Sequence, residues 1–179
     1  MPVSDQGVNL PRYRVIPRTL IFLVHNSEVL LIRGAPTKRL WANRYNGLGG
    51  HIERGEDPLS AAKRELKEEA GIENVELHGV GVILVDVEPD IGVCIFIFRG
   101  EAEEKWTWHS EEGALEWVPW EDLPHLPLVE DLPQILPRVW EWRPGDPVFW
   151  AVSRYENGHL VVHFHSERDG SGGSPLFLS

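Results

Sequence analysis

The stretch from residue 50 to residue 72, GHIERGEDPLSAAKRELKEEAGI, constrains this chain more than any other part of its sequence. Glu65, Glu68 and Glu69 are spaced i, i+3 and i+4, so a helix projects their carboxylates from one face. Like charges at this spacing weaken an isolated helix, whereas a hard divalent cation relieves the repulsion and prefers carboxylate oxygens as ligands. The plainer alternative is a solvated acidic face on which Arg64 pairs with Glu68. The glycine-framed loop before the helix favours the metal-binding interpretation.

Signals at both ends define the helix that carries these glutamates. Asp57 is a favourable N-cap, Pro58 suits the first helical position, and Gly71 suits the C-terminal stop. A buried face is supplied by an apolar stripe of Leu59, Ala62 and Leu66. The sequence therefore predicts a helix from about residue 57 to residue 70.

The pattern G-x5-E-x7-R-E-L-x-E-E-x-G-I in this stretch resembles a complete Nudix box, with no departure at its fixed positions. The resemblance extends more loosely over residues 17–140. It implies an α/β fold, a Nudix-type α/β/α sandwich with a mixed β-sheet. It also implies a pyrophosphohydrolase that uses Mg2+ or Mn2+ to cleave a nucleoside diphosphate linked to another group.

The same resemblance assigns roles to residues of the box. By this resemblance, Glu65, Glu68 and Glu69 are catalytic and bind the metal, and the carbonyl of Gly50 is a further metal ligand. Arg64 is the implied catalytic partner that orients these glutamates by charge-assisted hydrogen bonds. Glu56 and Gly71 are expected to be structural. The identity of the general base and the number of metal ions are left open.

One further catalytic candidate lies outside the box. Residues 111–118, EEGALEWV, resemble a loop in which many members of the family place an additional metal-binding or base glutamate. Glu112 matches that position best, and Glu111 is next. The alternative is an ordinary acidic loop in an acidic protein.

The loop before the box carries the signal for the substrate. Residues 41–50, WANRYNGLGG, resemble the same loop in MutT-like nucleotide-cleaning enzymes, in which the asparagine reads the edge of an oxidised guanine. Asn46 takes that place, and its amide offers both a donor and an acceptor. The leading substrate is an oxidised or ordinary nucleoside triphosphate, with 8-oxo-dGTP the first choice. Asn before Gly is also a common turn pair, so a purely structural role stays open.

Aromatic residues supply most of the remaining substrate-binding candidates. The chain has eight tryptophans. Those nearest the predicted site in sequence are Trp41, Trp106, Trp108 and Trp117, of which Trp41 and Trp117 are the chosen candidates. Such rings can stack on a base, although most aromatic residues pack in cores. Arg33, at the end of the second predicted strand, completes the set.

Other substrates and one other function stay open. Within the family the alternatives are ADP-ribose or a nucleotide sugar, a dinucleoside polyphosphate and capped RNA. Pro89, well downstream of the box, keeps ADP-ribose in consideration, whereas the short N-terminal arm argues against it. The alternative outside enzymology is a catalytically silent nucleotide-binding module, but such modules usually lose the box carboxylates that this chain keeps.

Composition limits the class of protein and its partners. A chain of 179 residues with 42% apolar and 25% charged residues suits one soluble domain. The net charge of −11 argues against binding a nucleic-acid duplex or an anionic membrane, and it suits a small-molecule nucleotide held by metal ions. No apolar run reaches the length of a membrane span, so a cytoplasmic location is expected. Cys94, the single cysteine, is expected to be a buried hydrophobe.

The pattern along the chain predicts four segments: an N-terminal arm (1–16), a Nudix hydrolase domain (17–145), a C-terminal β-hairpin extension (146–168) and a flexible tail (169–179). Strands are predicted over 19–24, 29–33, 75–87, 91–99 and 115–118. A second helix is predicted over 128–142, with a kink or an early stop at Pro137. Asn157-Gly158 predicts the turn of the hairpin. Three roles are open for this hairpin: extending the sheet, covering the cleft or forming a homodimer contact.

Overall fold

The computed structural model describes residues 2–7, 11–37, 39–106, 109–110 and 113–165. Within them, the strands are β1 Arg14–His25, β2 Glu28–Gly34, β3 Tyr45–Asn46, β4 Leu77–Asp86, β5 Ile91–Glu101, β6 His109–Ser110, β7 Gly113–Pro119, β8 Phe149–Glu156 and β9 His159–Phe164. The helices are α1 Pro58–Ala70 and α2 Leu132–Glu141, with short 3-10 helices at Val3–Gln6 and Trp120–His125. No helix in the described part of the chain is long and apolar enough to cross a membrane.

All these strands join one mixed sheet in the order β6-β7-β2-β1-β5-β4-β8-β9, with β3 pairing with β2 beside this path. β1 runs parallel to β5, and β4 runs parallel to β8. The other neighbouring strands pair antiparallel.

Each face of the sheet packs against one helix. Along β1, Leu20 and Phe22 join one buried cluster, whereas Ile21 and Leu23 join the other, because successive side chains point to opposite faces. α1 covers the second face with Ala62, Leu66 and Ala70. α2 covers the first face with Leu132, Ile135, Leu136 and Val139. The predicted α/β/α sandwich with a mixed sheet is confirmed, and Cys94 is buried as predicted.

The capping signals place α1 where the sequence predicts it. Oδ1 of Asp57 accepts hydrogen bonds from the backbone N–H groups of Leu59 at 2.9 Å and Ser60 at 3.0 Å. Bonds from the Ser60 hydroxyl and from these N–H groups lower the pKa of Asp57. At the other end Gly71 has φ 67°, and its N–H donates to the carbonyl of Lys67.

The second helix differs from its prediction in where it begins and in how it passes Pro137. α2 begins at Leu132 rather than at residue 128, and it continues through Pro137 to Glu141 instead of stopping. Proline removes one hydrogen bond to the preceding turn, but the apolar side of α2 is buried on both sides of that position, at Ile135, Leu136 and Val139. Tertiary packing therefore overrides the local break.

The two ends of the described chain also refine the predicted segments. β1 begins at Arg14, within the segment 1–16 that was predicted as an arm, and Arg14 pairs there with Ile91 of β5. The predicted hairpin forms, with Asn157 at φ 51° and Gly158 at φ 85° in its turn. It extends the sheet through the parallel pairing of β8 with β4. The tail predicted over 169–179 lies outside the described residues.

Candidate active site

The loop before α1 is held along β1 by backbone hydrogen bonds. The carbonyl of Leu48 accepts from Ile21 N–H at 2.7 Å, and the carbonyl of Gly50 accepts from Thr19 N–H at 2.8 Å. Gly49 has φ +129°, and a Cβ on it would lie 2.4 Å from the Thr19 carbonyl oxygen. This close approach requires glycine, and it brings the loop against the acidic face of α1.

Two of the three glutamates meet this loop directly. Glu69 is 9% exposed, and its Oε2 accepts the Gly49 N–H at 2.7 Å. The carboxylate of Glu65 lies so close to Gly50 that a Cβ there would be 2.5 Å from Oε1. Glu68 is more open, with 59% of its side chain exposed. The loop and the helix thus place three carboxylates of different burial beside β1, an interior strand of the sheet.

Arg64 links the glutamates into a network. Its guanidinium donates twice to Glu56, from Nε at 2.7 Å and from Nη2 at 3.0 Å. Nη1 donates to Glu65 at 2.8 Å and to Glu68 at 3.1 Å, and Nη2 also reaches the His51 carbonyl at 3.0 Å. The bonds from Arg64 lower the pKa of Glu56, helped by the Glu53 N–H. The hydrogen bonds to the carboxylates, first that to Glu56 and then those to Glu65 and Glu68, raise the pKa of Arg64.

The ligand atoms available here are of the type that a hard divalent cation prefers. Three carboxylates and the Gly50 carbonyl offer oxygen ligands only, and the missing Cβ at Gly50 keeps its peptide beside Glu65. Across the described residues, however, no three His, Cys, Asp or Glu side chains converge as a ready set of metal ligands. Arg64 occupies oxygens of Glu65 and Glu68 in this conformation. An ionised carboxylate offers about four acceptor sites on its two oxygens, so Glu65 and Glu68 can bind a cation while they keep their bonds to Arg64.

A cleft of about 970 Å³ extends from these glutamates across the sheet toward the start of α2. Its apolar floor contains Leu20, Val85, Val93 and Ile95. Asn46 and Trp41, both predicted to bind substrate, line the same cleft. Asn46 also accepts the Gly47 N–H on Oδ1 at 2.9 Å, so it combines a position in the cleft with a local turn contact. Trp41 is 45% exposed.

Two other predicted substrate-binding residues are not among the described residues that line the cleft. Trp117 packs on the α1 side of the sheet, where its Nε1 donates to the Trp106 carbonyl at 3.0 Å. The guanidinium of Arg33 lies over the Tyr45 ring, 5.9 Å from its centroid. Because side chains alternate along β7, Trp117 lies on the α1 side of the sheet. Contact of Trp117 and Arg33 with the substrate stays a prediction. Glu111, Glu112 and Trp108 lie outside the described residues.

The cleft also contains residues that the sequence analysis did not select. Asp131 is 8% exposed, and burial, followed by the charge of Glu130, raises its pKa. Arg18 lines the cleft with a buried Nε that makes no hydrogen bond within the described structure. An acidic residue two positions before a proline is an N-cap signal, so the sequence could identify Asp131 as the N-cap of α2 but not as a cleft residue, although its side chain makes no capping hydrogen bond.

Comparisons with known proteins place this geometry in a family. A model of the NUDIX domain matches residues 15–139. The chain is 32% identical over 115 residues to the oxidized purine nucleoside triphosphate hydrolase of Mus musculus, a match that covers 63% of this chain and 72% of that protein. It is 33% identical over 94 residues to the 8-oxo-dGTP diphosphatase of Escherichia coli (strain K12), covering 52% and 70% respectively. The crystal structure of a MutT protein from Bacillus halodurans superposes with a TM-score of 0.70 at 22% identity, covering 84% of this chain and 97% of that one, which shows the shared fold.

Proposed function

The chain belongs to the NUDIX domain family and is a Nudix hydrolase, and from this premise we propose that its substrate is an oxidised purine nucleoside triphosphate, with 8-oxo-dGTP preferred. The products are the nucleoside monophosphate and pyrophosphate. The observation that carries this proposal is the continuous cleft that joins the glutamates of α1 to Asn46 and Asp131. The names of the two relatives above support the same substrate class.

The glutamate end of the cleft suits the phosphates. Nudix hydrolases generally use divalent metal ions, and here we propose Mg2+ or Mn2+, which supplies charge neutralisation on phosphoryl oxygens and a more acidic water. Glu65, Glu68, Glu69 and the Gly50 carbonyl are the residues that would hold it. Arg64 orients Glu65 and Glu68, and the Gly49 N–H fixes one oxygen of Glu69. We propose that Arg18, whose buried Nε makes no hydrogen bond to the described residues, donates to a phosphate oxygen.

The other end of the cleft suits a modified purine. The Asn46 amide offers a donor and an acceptor to a base edge. Asp131, whose pKa is raised by burial, is biased toward the protonated form, which also donates and accepts. Oxidation at C8 of guanine converts the N7 acceptor into an N–H donor, so paired donor and acceptor groups in the cleft can distinguish the two bases. A base that leaves such buried polar groups without a hydrogen bond binds with a less favourable free energy.

A substrate panel tests this proposal. The panel contains 8-oxo-dGTP, the four ordinary dNTPs, ADP-ribose, NADH and diadenosine polyphosphates, ranked by kcat/KM in Mg2+. We expect 8-oxo-dGTP to lead, and Asn46→Ala to remove that lead while metal-dependent turnover of ordinary dNTPs persists.

Three outcomes would contradict parts of the proposal. A lead for ADP-ribose that Asn46→Ala leaves unchanged would make the protein an ADP-ribose hydrolase and Asn46 a turn residue. Equal kcat/KM for 8-oxo-dGTP and dGTP would remove the assignment to oxidised nucleotides. Tight binding without turnover of any compound would identify a silent nucleotide-binding module instead.

A further inference from the structure

We propose that Tyr155, on the appended β8–β9 hairpin, is a substrate-binding residue that stacks on the base of the bound nucleotide. The inference rests on the proposed function, since it requires a substrate with a base. Tyr155 and Leu160 of the hairpin line the same cleft as Asn46 and the α1 glutamates. The hairpin is therefore a wall of the cleft as well as an extension of the sheet.

The pairing of β8 determines which way Tyr155 faces. β8 runs parallel to β4, with Val85 beside Ser153. Ala151 and Ser153 are 8% and 0% exposed, and Ala151 belongs to the cluster under α2. Because side chains alternate along a strand, Tyr155 lies on that same face. It sits beyond the last β4–β8 pair, where the cleft floor of Val85 and Val87 begins.

The free edge of β9 is hydrogen-bonded to residues at the start of α2, and these bonds fix the position of the hairpin. Oε1 of Glu130 accepts the Leu160 N–H at 3.0 Å. Gln134 donates to the Leu160 carbonyl at 3.1 Å and accepts the Val162 N–H at 2.9 Å. These bonds satisfy backbone groups on the edge strand, and they hold the hairpin beside Asp131. Tyr155 is thus presented to the cleft by a fixed support rather than by a free loop.

The environment of the Tyr155 ring leaves it open to a ligand. The chain has three tyrosines, and the hydroxyls of the other two are bonded, Tyr13 to Asp86 at 3.1 Å and Tyr45 to Glu116 at 2.6 Å. Tyr155 is 62% exposed, and its hydroxyl makes no hydrogen bond to the part of the chain that the structure describes. A large aromatic surface exposed in a cleft with an apolar floor is suited to stacking on a base, whose π-face it can cover.

The alternative is a structural role. Tyr155 is the cross-strand neighbour of Leu160, so its ring also has the position of a residue that stabilises the hairpin. A structural role changes folding stability and affects every substrate alike. A stacking role changes the KM of substrates that carry a base and leaves base-free substrates unaffected.

Steady-state kinetics with 8-oxo-dGTP, dGTP and inorganic tripolyphosphate separates these roles. We expect Tyr155→Ala to raise KM for both nucleotides by about 5- to 30-fold, as expected for one lost base–aromatic contact, with kcat changed by less than about 2-fold. Tyr155→Phe should keep the wild-type KM. Tyr155→Leu retains an apolar side chain against Leu160, so it serves if the alanine variant folds poorly. It should raise KM as Tyr155→Ala does. For tripolyphosphate, any turnover should be equal in wild type and all variants.

Trp150 supplies the matched control. It is an exposed aromatic residue on the same strand, 54% exposed, but it lies on the opposite face beside Val82 and Leu84. Trp150→Ala should leave KM for both nucleotides unchanged. An unchanged KM in Tyr155→Ala and Tyr155→Leu, an equal rise in Trp150→Ala, or an equal rise for tripolyphosphate would overturn the proposal.

Failure of the proposed function is visible separately, in the wild-type protein. If ADP-ribose leads the panel, the assignment to nucleoside triphosphates fails. The same Tyr155 variants assayed with ADP-ribose still test stacking, because ADP-ribose carries an adenine. If no compound turns over, the dissociation constants of 8-oxo-dGTP for wild type, Tyr155→Leu and Trp150→Ala take the place of KM, and equal constants overturn the proposal.

Discussion

Replacing Gly50 with alanine should disable the glutamate cluster while leaving the fold intact. The backbone of Gly50 is not in the left-handed region, so alanine fits its conformation. The added Cβ would, however, lie 2.5 Å from Oε1, 2.7 Å from Cδ and 2.8 Å from Oε2 of Glu65. To reach ordinary contact the carboxylate has to retreat by about 1 Å. The end of a flexible side chain can make that movement at little cost to stability.

The same displacement should be costly for the site. Glu65 would leave both the Gly50 peptide and the 2.8 Å bond from Arg64 that orients it. Disturbing groups that orient metal ligands typically lowers metal affinity or activity by about 10- to 100-fold. We expect at least this loss in kcat/KM at limiting Mg2+, with part of it recovered at high Mg2+.

Gly49→Ala is the matched control, one residue earlier in the loop. Its Cβ would lie 2.4 Å from the Thr19 carbonyl oxygen, and its φ is +129°. Backbone in β1 cannot retreat as a side chain does, so the cost should be about 1–3 kcal/mol of folding free energy. For a chain of this size that corresponds to a fall of about 2–12 °C in Tm.

Thermal unfolding without metal and an Mg2+ titration of kcat/KM, performed on both variants, test this contrast. Gly49→Ala should have a lower Tm than wild type. Gly50→Ala should have nearly the wild-type Tm but a lower kcat/KM at limiting Mg2+. Wild-type Mg2+ dependence in Gly50→Ala would refute the placement of Glu65 as a ligand. A fall in Tm equal to that of Gly49→Ala would show that the loop, not the carboxylate, yields.

Two further predictions concern single side chains of the site. Burial holds the pKa of Asp131 above its ordinary value, so its contribution favours the folded state at low pH and is lost as pH rises from the ordinary pKa through the folded one. Asp131→Asn should therefore raise Tm at neutral pH more than at acidic pH, and a shift equal at every pH would contradict this. Arg64→Lys replaces a guanidinium that bonds Glu56, Glu65, Glu68 and the His51 carbonyl with one ammonium, so the Mg2+ needed for half-maximal activity should rise by about 10- to 100-fold. An unchanged Mg2+ titration would show that Arg64 does not orient the ligands.

The features that the sequence predicts well are those set by local chemistry. The Asp57 cap and the Gly71 stop define α1 because both act within one turn of the helix. Asn157-Gly158 defines its hairpin because few other pairs adopt its backbone angles. The spacing of the α1 glutamates likewise predicts that they share a face.

The features that the sequence misses depend on contacts between distant segments. Strand register puts Trp117 on the α1 side of the sheet, a placement that its position along the chain does not indicate. Asp131 and Tyr155 become cleft residues only because α2 and the hairpin meet beside β4. Pro137 is tolerated because the packing of α2 on the sheet outweighs one lost hydrogen bond. None of these outcomes can be obtained from a residue and its near neighbours.

The central claim is that the α1 glutamates support divalent-dependent cleavage of a nucleoside triphosphate. Its most direct test is the turnover of 8-oxo-dGTP by wild type and Glu69→Gln, each in Mg2+ and in EDTA, with the products identified. Glutamine keeps an oxygen for the Gly49 N–H but removes the charge, so the fold should persist. We predict monophosphate and pyrophosphate from wild type in Mg2+, no turnover in EDTA, and a loss of at least about 100-fold in Glu69→Gln. Full activity in EDTA, or wild-type activity in Glu69→Gln, would contradict the claim.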